Sequence, residues 1–414
     1  MKDFLSKRPA QIAFLFIKWL GLGLFAGAIC GLLGTFFHHS ITFVTGLRSA
    51  NPWIIYLLPA GGLIISLIYK VTNKPINANQ VIKSEISGEP VSILMAPLIV
   101  AGTIITQLVG GSSGREGAAI QLGGSLGYNI GRLFRLNSVD LRILTMSGVA
   151  AVFSAMFQTP LAAGIFAVEV ACAGIIYPAA ILPCMTASLS AFYLSKLFGT
   201  EDTIFGKFNV PNVSFKSMGL TILLGILVAL LSIVFCIAIE KCSALLAKLI
   251  PSTILRAVIG GAVLLGITLL IGNFEFNGAG MNLIYNAFNG HAEWWHFLLK
   301  LLLTVISVSC LFKGGEIVPA MSIGALFGCF FGSLFGMNPG FCAAIALVGM
   351  FCGIVNCPLA AIMIGGEMFG FEGIVYFIVI CAVSYALSGN FSLYEAQIKN
   401  KSHVVSANEK EQLM

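Results

Sequence analysis

The chain has 414 residues, 58% of them hydrophobic and only 10% charged, with a formal net charge of +6. A soluble domain carries about 25% charged residues, so this composition excludes an ordinary soluble enzyme and predicts an all-α polytopic protein embedded in a lipid bilayer. The positive balance calls for no nucleic acid, because the basic residues gather at the termini and in short loops. The eleven cysteines fall almost all within apolar runs, with no C-x-x-C pair and no Cys/His cluster. They read as small core residues, and neither a metal nor a cofactor is expected.

In chain order, Lys2, Lys7 and Arg8 precede an apolar run from Ile12 to about Phe37. That run is too long for a signal peptide, and its positive flank predicts a cytoplasmic N-terminal segment, residues 1–11. A second run covers Trp53–Tyr69. A polar break follows, then a shorter apolar helix at Val91–Val109 and the stretch Gly110–Gly127, GGSSGREGAAIQLGGSLG. After it, Arg132, Arg135 and Arg142 mark a cytoplasmic loop. Ile143–Phe157, Pro160–Ala173 and Ile175–Phe198 complete a first unit, residues 12–199.

A polar linker at 200–217 separates this unit from a second at 218–398, with a cytoplasmic tail at 399–414. The second unit repeats the first in outline. Met218–Ile239 and Val258–Ile271 are apolar; a glycine-marked break at NGAGMNLIYNAF follows, then Trp294–Phe312 and a glycine-rich break at KGGEIVPAMSIGALFG. Gly114 and Gly127 recur as Gly315 and Gly328, each 201 positions further on, and Pro160-Leu161-Ala162-Ala163 recurs as Pro358-Leu359-Ala360-Ala361. Glu169 and Glu367 each fall nine positions after their proline. Interrupted apolar segments in corresponding places of two halves point to a repeat-built transporter with its site at the repeat interface.

The first break puts Arg115 and Glu116 near membrane depth, where ionisable groups are costly and retained for a task. Glycines before a helix leave main-chain N–H groups free to face an anion, and the helix dipole adds positive partial charge. An anion site guarded by a titratable carboxylate is the expectation. A membrane enzyme is disfavoured: no nucleophile elbow and no H-E-x-x-H motif occurs.

GSSGREGAAIQLGG resembles the GREGP signature of the CLC chloride channels and proton-coupled antiporters. GGEIVP resembles their GxFxP signature, NFSLYEAQI the segment holding their anion-coordinating tyrosine, and MFQTPLAAGIFAVE and GAGMNLI match further family segments. The resemblance covers about Ala13–Ile398. It implies a homodimer with one anion pathway per subunit and a CLC-type fold of two inverted-topology repeats with broken and re-entrant helices. Since the chain stops soon after the last apolar run, the CBS domains of many relatives are expected to be missing.

The departures from the family pattern are specific. Ile76-Asn77-Ala78-Asn79-Gln80 stands where the family usually has GSGIP, which puts Asn77 at the central serine. Ile317 replaces the phenylalanine of GxFxP and Glu316 precedes it; Ala118 replaces the GREGP proline; Val170 stands where the family's chloride/proton exchangers have an internal glutamate. This combination is similar to the fluoride/proton antiporter branch.

The expected anion donors are the N–H groups near Glu116 and at Ile317 and Val318, the Asn77 amide and the Tyr394 hydroxyl. Ionised, Glu116 is a tethered competitor for the anion; protonated, it yields the place, so it serves as gate and proton-coupling group. Glu316 is a candidate for proton handling. Gly114, Arg115, Gly117, Gly315 and Pro319 shape the site, and Glu169 and Glu367 are read as structural hydrogen-bonding groups. His38, His39, His291 and His296 are read as surface residues at loop edges. Fluoride and protons are the expected substrates, with a chloride/proton antiporter or a passive anion channel as the alternatives.

Overall fold

The computed structural model describes residues 2–70, 77–201 and 208–398. Ile76, part of the 200–217 linker and the 399–414 tail lie outside the described residues. The first half forms α1 (Lys2–Ala50), α2 (Leu58–Lys70), α3 (Ala78–Ser87), α4 (Met95–Val109), α5 (Glu116–Leu133), α6 (Ser138–Phe157), α7 (Pro160–Glu169) and α8 (Ile181–Leu197). The second half forms α9 (Phe215–Leu249), α10 (Thr253–Ile271), α11 (Met281–Phe288), α12 (His296–Ser309), α13 (Ile317–Phe335), α14 (Pro339–Val355), α15 (Pro358–Phe369) and α16 (Ile374–Ser388). Helix by helix, the second set repeats the first. Among the described residues, eight helical stretches are long and apolar enough to cross a membrane, while α3, α4, α7, α11, α12 and α15 fall short of the roughly 20 residues a full crossing needs. The molecule is a multi-pass membrane protein of interrupted helices.

Element bounds follow local chemistry. α1 continues well beyond Phe37, where the apolar run thins, because Ile41 and Val44 keep one face buried as the other turns polar. It stops before Asn51-Pro52, since a residue preceding proline disfavours the α region. The break read at NGAGMNLIYNAF contains a helix of its own, α11, entered through Gly280 in the left-handed region with φ 91°. His38 and His39, expected at loop edges, lie inside α1; His38 marks the helix face that lines a cavity, while His39 stays exposed, its Nε2 3.1 Å from Phe198 O.

The halves run in opposite directions. A methyl group on Gly62 would lie 2.5 Å from the Ala257 carbonyl, and one on Gly261 2.7 Å from that of Leu58. The residue numbers rise along α2 as they fall along α10, so these equivalent helices are antiparallel and the repeats are inverted. Small residues also set the packing within each half. A methyl at Gly127 of α5 would meet Leu144 O of α6 at 2.2 Å, and one at the equivalent Gly328 of α13 would meet Cys342 O of α14 at the same distance. Such close backbone approach supplies the van der Waals contact that lipid, being itself apolar, does not drive hydrophobically.

The two acids after the repeated prolines are exchanged between halves. Glu169 accepts from the N–H groups of Leu359 at 3.2 Å and Ala360 at 2.9 Å. Glu367 accepts from those of Leu161 at 3.0 Å and Ala162 at 2.8 Å. Each carboxylate thus satisfies the orphan donors at the start of the other half's proline-led helix, with charge assistance and a favourable dipole. Glu169→Ala is expected to cost about 3 kcal/mol, because a buried donor at Ala360 and a part-buried one at Leu359 lose an ionic acceptor. The unfolding midpoint in detergent checks this, and Glu367→Ala, at a half-buried position, should lower it less.

Candidate functional site

Both glycine breaks follow a short helix that ends in a left-handed residue. α4 ends at Gly110 with φ 90°, and the segment after α12 turns through Leu311 with φ 70° and Gly314 with φ 151°. The breaks then pair. Gly114 N–H donates to Gly315 O at 2.5 Å and Gly315 N–H to Gly114 O at 2.9 Å, a one-residue antiparallel bridge. Equivalent residues of the two repeats therefore meet on the local two-fold axis, and α5 and α13 both start from it. Only glycine permits the approach, since a methyl on Gly315 would stand 2.2 Å from Gly117 N.

Glu116 is the first residue of α5 and is 1% exposed. Its Oε2 accepts from Arg115 N–H at 2.8 Å, and its own N–H and that of Val318, the second residue of α13, lie close enough to act on the carboxyl. The Arg115 guanidinium lies 3.6 Å from the other oxygen. Donors from both breaks, reinforced by two helix dipoles, thus converge on one carboxylate. Any anion entering this nest must compete with the Glu116 side chain for the same N–H groups.

The flanking residues divide between two faces. Arg115 is half-buried; its Nη1 is 3.1 Å from His38 Nδ1 and its Nη2 donates to Met156 O at 3.3 Å. It lines a cavity of about 660 Å³ together with His38, Arg48, Gln107, Glu275 and Asn277. Glu316 is the N-cap residue of α13, with no side-chain capping hydrogen bond, and lies within the field of the Lys313 ammonium, which sits 4.3 Å from the centre of the Tyr69 ring.

Ile317, Val318, Pro319 and Gly117 are buried around the bridge. Tyr394 is 3% exposed, and its hydroxyl has no hydrogen-bond partner among the described residues; it feels the charges of Glu316 and Glu116. Asn77 is the exposed N-cap of α3 and makes no capping bond. Its neighbour Asn79 accepts from Ala396 N–H at 3.1 Å, which ties the start of α3 to the Tyr394 segment.

Three charged residues escaped the sequence reading. Arg48 donates to Gln107 O at the cavity wall. Lys300 is fully buried in α12, and its Nζ donates to Ser112 Oγ at 3.0 Å, Phe276 O at 3.0 Å and Gly278 O at 2.6 Å. It fastens the first break to the loop before α11. A lone lysine inside the apolar run Trp294–Phe312 was the available signal, because an unneeded cation is rare there. The third is Glu85, inside α3.

Inverted repeats meeting at paired glycine breaks over a buried acid define a membrane transporter built from broken helices. The chain belongs to the voltage-gated chloride channel, or CLC, family, whose model matches residues 61–389. It is 33% identical over 402 residues to a chloride/fluoride channel protein of Pseudomonas syringae pv. tomato, covering 94% of this chain and 89% of the relative. It is 26% identical over 399 residues to the H(+)/Cl(-) exchange transporter ClcA of Vibrio campbellii, covering 89% and 85%. Among solved structures, a CLC-type fluoride/proton antiporter superposes with a TM-score of 0.87 at 29% identity, covering 92% of this chain and 98% of that one. A slow cyanobacterial Cl-/H+ antiporter shares the fold, with a TM-score of 0.75 at 22% identity, covering 89% and 94%.

Proposed function

We propose that this protein exchanges fluoride for protons across the plasma membrane, clearing fluoride from the cytoplasm, with Glu116 as the protonatable gate. The observation that carries the reading is the buried Glu116 carboxyl, hydrogen-bonded to Arg115 N–H beside the Gly114–Gly315 bridge that joins the two breaks, the place an anion of either repeat would take. Anion and proton then alternate by chemistry: an ionised Glu116 excludes the anion, and a protonated one releases the donors to it. Asn77, Glu116, Ile317, Val318 and Tyr394 form the anion pathway in this reading, Glu316 handles protons, and Gly114, Arg115, Gly117, Gly315 and Pro319 keep the breaks in register.

Fluoride is favoured over chloride on two grounds. A small hard anion gains most from short charge-assisted donors, and the chloride/fluoride channel protein and the fluoride/proton antiporter are similar to this chain over nearly its whole length. The protein acts as a homodimer with both termini cytoplasmic, the latter following from Lys2, Lys7 and Arg8 beside the first apolar run. The units at 12–199 and 218–398 are its two repeats and 200–217 their linker.

Purified protein in liposomes loaded with fluoride or chloride, with external pH recorded under an applied potential, tests this. Fluoride efflux exceeding chloride efflux, with protons driven uphill the opposite way, is expected. Equal fluxes coupled to protons would replace the reading with a chloride/proton antiporter. Flux of either anion without protons would replace it with a passive channel, the activity named for the Pseudomonas relative.

A further inference from the structure

Glu85 sits in the last turn of α3, is 0% exposed, and has no hydrogen-bond partner for either carboxyl oxygen among the described residues. The contrast with the other fully buried acids is direct. Glu169 accepts from two N–H groups, and Glu116 accepts from Arg115 N–H and has the Arg115 guanidinium beside it; both have donors that compensate a charge. Glu85 has nothing of the kind. An ionised carboxylate without donors in a dry place is far more costly than a neutral acid, so this side chain takes and gives a proton rather than anchoring a helix. Beside it, the Ser84 hydroxyl is buried and equally unpartnered.

Its position gives the proton somewhere to go. The helix that carries Glu85 is tied to the Tyr394 segment by the Asn79–Ala396 hydrogen bond at 3.1 Å, and Tyr394 lies within the field of Glu316, Glu116 and Glu85. On its other side, Arg142 Nε donates to the main-chain oxygen of Glu85 at 2.7 Å, and Gly88, which ends α3, packs near Ser138 and Arg142 at the start of α6. The Lys18–Asp140 ion pair places that end of α6 beside the first part of α1, whereas the cavity at Arg48 and Arg115 lies by the far end of α1. Glu85 therefore stands between the Tyr394 cluster and the face opposite the cavity. The titratable groups around it are the thiols of Cys172, Cys184 and Cys357, the Tyr394 phenol and the Arg142 guanidinium.

We propose that Glu85 is a proton-relay carboxyl that loads protons from the face opposite the cavity and passes them to the Tyr394 cluster. The relay supplies what an acid at Val170 would otherwise do, and it rests on the exchange reading above. In each cycle the O–H bond of Glu85 breaks as a new O–H bond forms on the carboxylate of Glu316 or Glu116, and a proton from the solvent at the face beside Arg142 restores the O–H bond of Glu85.

The test uses full-length wild type, Glu85→Gln and Glu85→Asp in fluoride-loaded liposomes with simultaneous fluoride and proton recording. In Glu85→Gln, proton movement should fall by about 100-fold, the scale of a lost proton-transfer group, while fluoride efflux persists; Glu85→Asp should restore part of the proton movement. A Glu85→Gln protein with wild-type proton-to-fluoride ratio overturns the relay and leaves the exchange reading standing. Loss of fluoride and proton movement together in both variants also overturns it, in favour of a packing role. A wild type that moves fluoride without protons overturns the exchange reading and the relay with it.

Discussion

Glu116→Gln will move fluoride but not protons. Glutamine fills the same volume as the carboxyl that now accepts from Arg115 N–H within reach of the Val318 N–H, so the fold at the bridge has no reason to change. Two properties are lost. The amide carries no charge, so it competes weakly with an anion for donors that two helix dipoles reinforce. It also takes no proton in the working pH range, so the transfer step disappears. Proton uptake coupled to fluoride efflux should drop by about 100-fold or more, the usual contribution of a positioned proton-transfer group. Simultaneous fluoride-electrode and pH recording of proteoliposomes measures both ions; proton movement at the wild-type rate would remove Glu116 from the coupling mechanism.

The second large effect is expected at the bridge. In Gly315→Ala the new methyl would stand 2.2 Å from Gly117 N and 2.9 Å from Glu116 N. These are main-chain atoms of the opposite repeat, so no side-chain rotation relieves the clash. The breaks must separate, the paired hydrogen bonds between Gly114 and Gly315 stretch, and the Val318 donor leaves the Glu116 carboxyl. Anion transport should fall to background, with a stability loss of about 3 kcal/mol, the upper end for overpacking. Gly219→Ala on α9, where an added methyl meets nothing within 4 Å, is the control and should leave transport intact. Full transport by Gly315→Ala would show that the register of the two breaks does not shape the anion site.

Several features were legible in the sequence because they are repeated or dear. The glycine breaks recur at a fixed interval, and Glu116 and Glu316 stand out against an apolar background. Glu169 and Glu367 were legible as a pair, though which donors they take was not. Their partners are the N–H groups of Leu359, Ala360, Leu161 and Ala162 in the other half, and no local pattern reveals an exchange across some 200 positions. The histidines show the opposite failure. The sequence places His38 at a loop edge, but α1 continues past it, and its ring reaches Arg115 because the helix face there lines a cavity.

Composition, the interval between the breaks and the acids within them determined, by themselves, a two-unit membrane protein with a glycine-framed acid at its centre. These are properties of the chain's cost in a bilayer, where every charge and every broken helix needs a reason. Only the tertiary structure decided which way the halves face, that Gly114 and Gly315 pair on an axis, and which buried charges are satisfied. Lys300 finds three oxygens, and among the described residues the Glu85 carboxyl finds no donor. The difference lies in what the fold brings to each from distant segments, and hydrogen-bond satisfaction is a property of that assembly rather than of the residue.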